Sequence, residues 1–99
     1  MSQYFVNVSF KLNDGKLEDW KVLSTQINED IAKAKGFISR DSGIDEQENV
    51  YCLVKWESQA DQEAFLASLM AREDSAEMMA HFGSIVDMAT MSNRGIQLF

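Results

Sequence analysis

Proline is absent from this chain of 99 residues, and cysteine and histidine each occur once. Without proline, every helix has to end at a glycine, at a polar cap or through a tertiary contact. The single cysteine, Cys52, excludes an internal disulfide and a metal site built from several cysteines. No apolar run reaches the length of a membrane span, and Met1 to Tyr4 lack the basic and apolar regions of a signal peptide. We therefore expect a cytoplasmic protein.

Basic residues are also few. Lysine and arginine together number 9 against 16 aspartate and glutamate residues, which gives a formal net charge of -7 and a pI near 4.5. A surface with this charge repels phosphate backbones and anionic lipid headgroups. We expect neither nucleic acid nor a membrane as a partner. The length predicts a single domain, residues 1–99, which on folding buries about 60 to 65% of the surface that the unfolded chain exposes.

The first part of the chain predicts a strand and a helix. From Tyr4 to Leu12 every even-numbered residue is apolar, and these residues share one face of a predicted strand. Phe5 lies on the other face with three polar residues, Asn7, Ser9 and Lys11. After the turn residues 13–15, apolar residues recur every three or four positions. This spacing predicts an amphipathic helix from about Lys16 to Lys35, which Gly36 ends.

The middle of the chain predicts a hairpin. Phe37 to Asp41 is long enough for a second strand, and the acidic segment from Ser42 to Glu48 predicts a solvated loop, since it lacks the ligand spacing of a calcium loop. Asn49 to Trp56 predicts a third strand with apolar residues on both faces. Val50, Cys52, Val54 and Trp56 lie on one face, and Tyr51 and Leu53 lie on the other.

Two helix starts follow. Ser58 with Asp61, and Asp74 with Glu77, each place an acidic residue three positions after a capping residue. The second helical stripe contains Met78, Phe82, Ile85, Val86 and Ala89. We expect a turn at residues 92–95 and a short last strand from Ile96 to Phe99. Four methionines are expected to fill the space between the helices and the sheet: Met78, Met79, Met88 and Met91.

This order of elements is typical of the α+β ferredoxin-like βαββαβ fold, an antiparallel sheet with its helices on one face. The first and third strands carry apolar residues on both faces, and the helices can cover only one of them. A contiguous apolar surface on a small protein marks an interface. The sequence therefore predicts a homodimer in which two sheets meet face to face.

Short motifs along the chain resemble the antibiotic biosynthesis monooxygenase family of dimeric α+β barrel proteins. They are the strand end from Leu53 to Ser58, the segments at residues 64–66 and 80–82, and the join at residues 35–38. The resemblance runs from about Phe5 to Phe82. It implies the dimeric barrel fold and the cofactor-independent oxidation of a small aromatic or quinol by molecular oxygen, with neither metal nor flavin.

The resemblance also implies which positions form the site. Family members that oxidise phenols carry the tryptophan matched by Trp56, an asparagine four residues earlier and a tyrosine in the following helix. Cys52 stands at the asparagine position, and Phe65 stands near the tyrosine position. Heme-degrading relatives use a first-strand asparagine and an iron-binding histidine. His81 matches the histidine, whereas the alternation places Val8 rather than Asn7 in phase with the site.

From residue types, His81 is the candidate catalytic base, because it is the only imidazole in the chain. Trp56, Cys52 and Phe65 are candidate pocket walls, and Arg40 and Arg94 are candidate anchors for a substrate oxyanion. Each residue also has a purely structural interpretation: Trp56 as a core anchor, Cys52 as a small buried apolar residue and His81 as a structural histidine.

Three functions remain open at this point. The chain is a cofactor-free monooxygenase, a non-catalytic dimeric module that binds a small aromatic ligand, or a heme-binding or heme-degrading protein. The residues predict no metal site and no resident cofactor for the first two. They do not identify the substrate.

Overall fold

The described residues form one sheet of four antiparallel strands and three helices. The computed structural model describes residues 3–99. The strands lie in the order β2-β3-β1-β4. In chain order the elements are β1 (Tyr4–Leu12), α1 (Leu17–Ile31), β2 (Phe37–Ile44), β3 (Asn49–Trp56), α2 (Gln59–Met70), α3 (Ser75–Ile85) and β4 (Val86–Gln97). The predicted ferredoxin-like α+β fold is confirmed.

The register of the central strands confirms the predicted faces. Val8 of β1 pairs with Cys52 of β3, and Asn7 pairs with Leu53. Because side chains of directly paired residues point to the same side of a sheet, two faces follow. We call the face toward the helices, which carries Val8 and Cys52, the inner face. The opposite face, which carries Asn7 and Leu53, is the outer face.

The core lies between the inner face and the helices, in two clusters. In the first cluster, Phe10 packs edge-on against Trp20 of α1 with ring centroids 5.0 Å apart, and Ile85 of α3 is buried beside them. In the second cluster, Trp56 is buried with Ile31 at the end of α1. The helices therefore bury the even-numbered positions of β1 and β3, as the alternation predicts.

The helix α1 ends earlier than predicted. It stops at Ile31, and a turn leads to Gly36, whose φ of 82° lies in the left-handed region. A Cβ atom at this glycine would stand 2.2 Å from Asp61 Oδ2. Gly36 is therefore required twice, for its backbone conformation and for the close approach of α2.

The predicted loop from Ser42 to Glu48 begins too early. The strand β2 continues through Ile44, which pairs with Val50, so only residues 45–48 form the loop. Asp45 closes it: its Oδ1 accepts hydrogen bonds from the backbone N–H groups of Gln47 and Asn49, both at 2.9 Å. The expectation of a merely solvated acidic segment is wrong for Asp45, because this carboxylate organises the hairpin.

The prediction for the end of the chain is also wrong. The helix α3 stops at Ile85, and β4 begins at once with Val86, which pairs with Leu12. The predicted turn at residues 92–95 lies inside β4. The apolar spacing continues past Ile85, but β1 needs a hydrogen-bonding partner along its second edge, and β4 supplies it. The register shifts between Ser9 and Lys11, where the backbone N–H of Lys11 donates to Thr90 Oγ1 at 2.8 Å.

The capping residues differ in their roles. Ser58 caps α2 as predicted, and its Oγ accepts a hydrogen bond from the backbone N–H of Asp61 at 3.2 Å. Asp74 precedes α3 but makes no capping bond; its carboxylate accepts from the guanidinium of Arg72 at 2.9 Å. Of the four methionines expected in the interior, Met79 and Met88 are exposed. None of the helices of residues 3–99 is long and apolar enough to cross a membrane.

Candidate functional site

Arg40 makes a polar cluster between β2 and α1. It pairs with Val54 in the sheet, so its half-buried side chain lies on the inner face. Its Nη1 donates to Ser24 Oγ at 3.0 Å and to Asn28 Oδ1, and its Nη2 lies 3.5 Å from Cys52 Sγ. These three partners are uncharged groups of α1 and β3. Arg40 therefore connects the edge strand to the middle of α1.

Within residues 3–99, no carboxylate lies within 4 Å of the Arg40 guanidinium; the ion pairs are Lys16–Asp19, Lys21–Glu18 and Arg72–Asp74. Removing a charge from water costs free energy unless an opposite charge or several hydrogen bonds compensate. A guanidinium also presents donors in a planar fork that matches the two oxygens of an anion. Arg40 is thus a cation with the chemistry of an anion anchor.

Cys52 lies next to this guanidinium on the inner face. It is buried, and Ser42 Oγ lies 3.7 Å from its sulfur on the other side. The structure therefore brings together two of the predicted site residues, Arg40 and Cys52. The position at which the resembled family has an asparagine is filled here by a thiol between a guanidinium and a hydroxyl group.

Trp56 is a buried core residue with two aromatic neighbours. It is 1% exposed, and its ring centroid lies 5.9 Å from that of Phe37 and 5.5 Å from that of Phe65. Phe65, from α2, is half-buried. Trp56 and Phe65, both candidate pocket walls, are thus neighbours in the structure. In this arrangement Trp56 is a core residue, because Phe37 and Phe65 pack against its ring.

His81 lies on the exposed surface of α3. Phe82 and Ile85 of the same helix pack into the core cluster of Phe10 and Trp20, whereas Trp56 belongs to the other cluster. The structure does not bring His81 together with Trp56.

Asn7 lies on the outer face, across the sheet from the helices, and Val8 lies on the inner face. The predicted alternation, which places these two side chains on opposite faces, is confirmed. Asn7 and His81, the two residues of this chain compared with the heme-degrading relatives, consequently lie on different sides of the sheet.

Arg94, the second predicted anchor, lies on the outer face. It is exposed and pairs with Asn7, which pairs in turn with Leu53. Asn7 Oδ1 is buried and has no hydrogen-bond partner among residues 3–99. Arg40 and Arg94 are therefore separated by the sheet and cannot hold one ligand together.

A shallow cavity of about 380 Å³ lies at the outer edge of β2 and β3, and Leu53 and Tyr51 contribute to its lining. The Tyr51 hydroxyl donates to Asp45 Oδ2 at 3.0 Å. Backbone donation from Asn49, together with this hydroxyl, lowers the pKa of Asp45, and the same hydrogen bond raises the pKa of Tyr51. Both groups are therefore stabilised in the forms that maintain the hairpin, with Asp45 ionised and Tyr51 protonated.

A second cavity of about 310 Å³ lies where the loop after β1 meets the hairpin, between Lys11, Lys16 and Glu48. Neither of these two cavities is lined by Trp56 or His81. The space beside Trp56 that the family resemblance leads one to expect is occupied by aromatic side chains in this structure.

Sequence reasoning missed Ser24 and Asn28. Both lie on the face of α1 toward β2, four residues apart, and Ser24 is the buried polar residue of the core. The available signal was a polar residue at position 24, one turn after the buried Trp20 in an apolar stripe. The identity of its partner could not be found from sequence, because Arg40 reaches it only across the helix-to-strand connection.

No protein-family model and no curated protein sequence matches the chain. Solved structures do match it. A conserved protein from Methanosarcina mazei Go1 is similar with a TM-score of 0.79 and 13% identity, over 97% of this chain and 92% of that chain. A conserved protein of unknown function from Bacteroides thetaiotaomicron, described as a possible oxidoreductase, has a TM-score of 0.74 and 13% identity over 98% of both chains.

A candidate antibiotic biosynthesis monooxygenase from Chloroflexus aurantiacus matches with a TM-score of 0.68 and 13% identity, over 95% of this chain and 90% of that chain. At such identities the comparison concerns the fold, since one fold supports many activities. The α+β fold of the single chain that the resemblance implies is therefore confirmed: this chain has the architecture found in a candidate antibiotic biosynthesis monooxygenase.

Proposed function

We propose that this protein binds a small planar molecule carrying an acidic oxygen, with Arg40 as the anchor. The observation that carries the proposal is the half-buried Arg40 guanidinium, whose partners Ser24, Asn28 and Cys52 are all uncharged. An oxyanion would supply the missing opposite charge. Such a molecule would lie against the half-buried side chain of Arg40, at the edge of the sheet where β2 meets α1.

The charge of the chain favours one kind of ligand over others. At a net charge of -7, the protein repels polyanions at long range. A neutral phenol or enol avoids this repulsion and ionises on binding, because a nearby guanidinium favours the charged form of the oxygen. We therefore propose a phenol, quinol or related enol rather than a phosphorylated metabolite.

A binding titration tests the anchor. The probes are a hydroxynaphthoquinone, which carries an acidic hydroxyl group, and its methyl ether, which cannot ionise. Wild-type protein is expected to bind the hydroxy compound about tenfold more tightly, equivalent to about 1.4 kcal/mol. Arg40→Gln should abolish this preference, whereas Arg94→Gln, which removes an arginine from the outer face, should retain it. Equal affinity of the wild type for both probes would refute the proposal.

Folding of the variants requires its own control, because Arg40 also connects β2 to α1. Arg40→Lys retains the charge but loses the planar fork, and it should show an intermediate preference. Circular dichroism and thermal unfolding establish that each variant is folded. A folded Arg40→Gln protein that still prefers the hydroxy compound would show that Arg40 is not the anchor.

Oxidation of the bound molecule is the second candidate function. Structures of the same fold are described as a candidate monooxygenase and a possible oxidoreductase. An anthrone-type ketone loses a proton from the CH₂ group that is conjugated with its carbonyl, and the resulting phenolate-like anion can donate an electron to O₂. In the overall reaction the CH₂ group becomes C=O, one oxygen atom enters the product, and the other leaves as water with the two hydrogens. Arg40 would stabilise the anion. His81 is the proposed base for the first proton, and because it is exposed on α3 and is not among the partners of Arg40, it would accept that proton through water.

An oxygen electrode tests this activity with an anthrone-type substrate. We expect consumption of one O₂ per substrate, loss of the reaction in Arg40→Gln, and a lower rate in His81→Ala if His81 is the base. An unchanged rate in His81→Ala would remove that role. A titration with hemin tests the heme alternative, which a Soret band sensitive to His81→Ala would support.

The outer face supports a further part of the proposal, a homodimer. Two side chains of this face, Tyr51 and Ile96, are 37% and 38% exposed. Leu53 on the same face pairs with a polar residue on each neighbouring strand. Apolar groups on an uncovered sheet face form an interface between protein molecules. Sedimentation equilibrium over a wide concentration range tests it, and a sedimenting monomer at every concentration would refute it.

A further inference from the structure

The outer face carries one row of side chains with opposite charges at its two ends. Arg94 of β4 pairs with Asn7 of β1, Asn7 pairs with Leu53 of β3, and Leu53 pairs with Asp41 of β2. All four therefore point to the same side of the sheet, in one line across the strands. Arg94 and Asp41 are both exposed.

The two charges do not meet within one molecule. They lie on the two edge strands, three interstrand steps of about 4.8 Å apart, which is about 14 Å. The ion pairs of residues 3–99 do not include either residue. A single chain thus presents a basic edge and an acidic edge on one face, with Asn7 and Leu53 between them.

Two orientations of a symmetric dimer can be distinguished by this row. If the two-fold axis runs parallel to the strands, β4 of one copy lies over β2 of the second copy. Arg94 then faces Asp41 of the second copy, and the same contact occurs twice, as required of a two-fold interface. If the axis runs across the strands, each strand lies over its own equivalent, and an axis along this row places Arg94 over Arg94 of the second copy.

The other charged residues on this face do not oppose the first orientation. Lys55 pairs with Phe5 in the sheet, so an axis parallel to the strands places Lys55 over Phe5 of the second copy. An ammonium group over an aromatic ring is a favourable contact. Lys11 and Asp87 pair directly with each other, so the far end of the face is close to neutral.

From these positions we infer that the protein forms a homodimer whose two-fold axis is parallel to the strands, held in this orientation by two symmetric ion pairs between Arg94 and Asp41 of the second copy. This inference rests on the proposed homodimer and adds its geometry. The apolar residues of the face supply affinity, and the charged row selects the orientation, because juxtaposed like charges disfavour the alternative.

Mixing two charge-reversed variants tests the inference. Arg94→Asp alone places two acidic groups in each contact, and Asp41→Arg alone places two basic groups there. Each variant should dimerise about tenfold more weakly than the wild type, since both symmetric contacts become repulsive. In an equimolar mixture both contacts pair Asp with Arg again. A heterodimer with nearly wild-type affinity is expected, measured by sedimentation with one variant fluorescently labelled.

Lys33→Asp is the matched control. It changes the net charge as much as Arg94→Asp does, but Lys33 is exposed in the turn after α1, away from the sheet. It should leave the dimer affinity unchanged. A wild-type protein that dimerises but whose mixed variants show no preference for the heterodimer would refute the ion pairs and leave the homodimer intact. A monomeric wild type would refute both.

Discussion

The two faces of the sheet arise from the same strands, in alternate residues, and have different surroundings. On β3, Val50 and Trp56 of the inner face are each 1% exposed, while Tyr51 of the outer face is 37% exposed. The inner face is covered by α1, α2 and α3, and the outer face by no element of residues 3–99. The difference shows that apolar alternation specifies which residues share a face, while the connections decide which face is buried.

The polar groups of the two faces differ in the same way. On the inner face the buried Ser24 accepts a hydrogen bond from Arg40. On the outer face Asn7 Oδ1 is without a partner among residues 3–99. A buried polar group without a partner costs stability in an isolated molecule. The buried hydroxyl of the inner face thus has its partner within one chain, while the buried acceptor of the outer face has none among residues 3–99.

The largest expected difference between the faces is in side-chain packing. Trp56→Ala should lower the free energy of unfolding by about 3–5 kcal/mol, because it opens a cavity between Phe37 and Phe65. Leu53→Ala, on the outer face of the same strand, should cost about 1 kcal/mol or less in the monomer. Urea unfolding at low protein concentration measures both. Equal losses would contradict the assignment of the outer face as uncovered. Trp56→Phe provides a milder variant.

Two strand glycines give a second comparison. Gly95 pairs with Val6 on the inner face, and a Cβ there would stand 1.7 Å from the Tyr4 hydroxyl. Gly43 pairs with Tyr51 on the outer face, where a Cβ meets nothing within 4 Å. Gly95→Ala should destabilise by about 1–3 kcal/mol, since the Tyr4 ring has to move. Gly43→Ala should be within about 0.5 kcal/mol of the wild type. Thermal unfolding tests this order. A Gly43→Ala variant that loses more stability than Gly95→Ala would contradict it.

Asn7→Val should stabilise the monomer by about 1 kcal/mol. The substitution removes the unpaired acceptor and places a β-branched residue in a central strand. The measurement is unfolding at a concentration below the dimerisation range. If the outer face of a second copy satisfies Asn7, the gain should shrink as the concentration rises. A destabilised Asn7→Val monomer would indicate that the amide makes a necessary contact.

The smallest effect concerns the pH dependence of the hairpin. The pKa of Asp45 is lowered in the folded protein from its ordinary value of 3.8, so its contribution to stability is complete above about that pH and is lost as the pH falls through the lower folded value. Asp45→Asn should be less stable than the wild type at neutral pH, and the difference should narrow in acid. A difference that is constant with pH would contradict this linkage.

The strand and helix order was predictable because it depends on local periodicity. The period-two pattern correctly predicted β1 and β3, and the three- to four-residue spacing correctly predicted α1. The start of β4 at Val86 was not predicted, because apolar spacing alone does not distinguish a helix that continues from a strand that pairs with β1. Among the site residues, the proximity of Arg40 to Cys52 followed from neither motif nor spacing, since they meet through the register of β2 with β3.

The sequence by itself determined the two apolar faces, the left-handed turn at Gly36, the cap at Ser58 and the acidic surface that disfavours polyanions. These features depend on backbone conformation, on neighbours within a few positions or on composition. Only the tertiary structure decided that Trp56 is enclosed by Phe37 and Phe65, that His81 faces solvent far from that cluster, and that Arg40 and Arg94 are on opposite faces. The physical reason is that side chains distant in sequence meet according to strand register and helix packing, neither of which has a local signal.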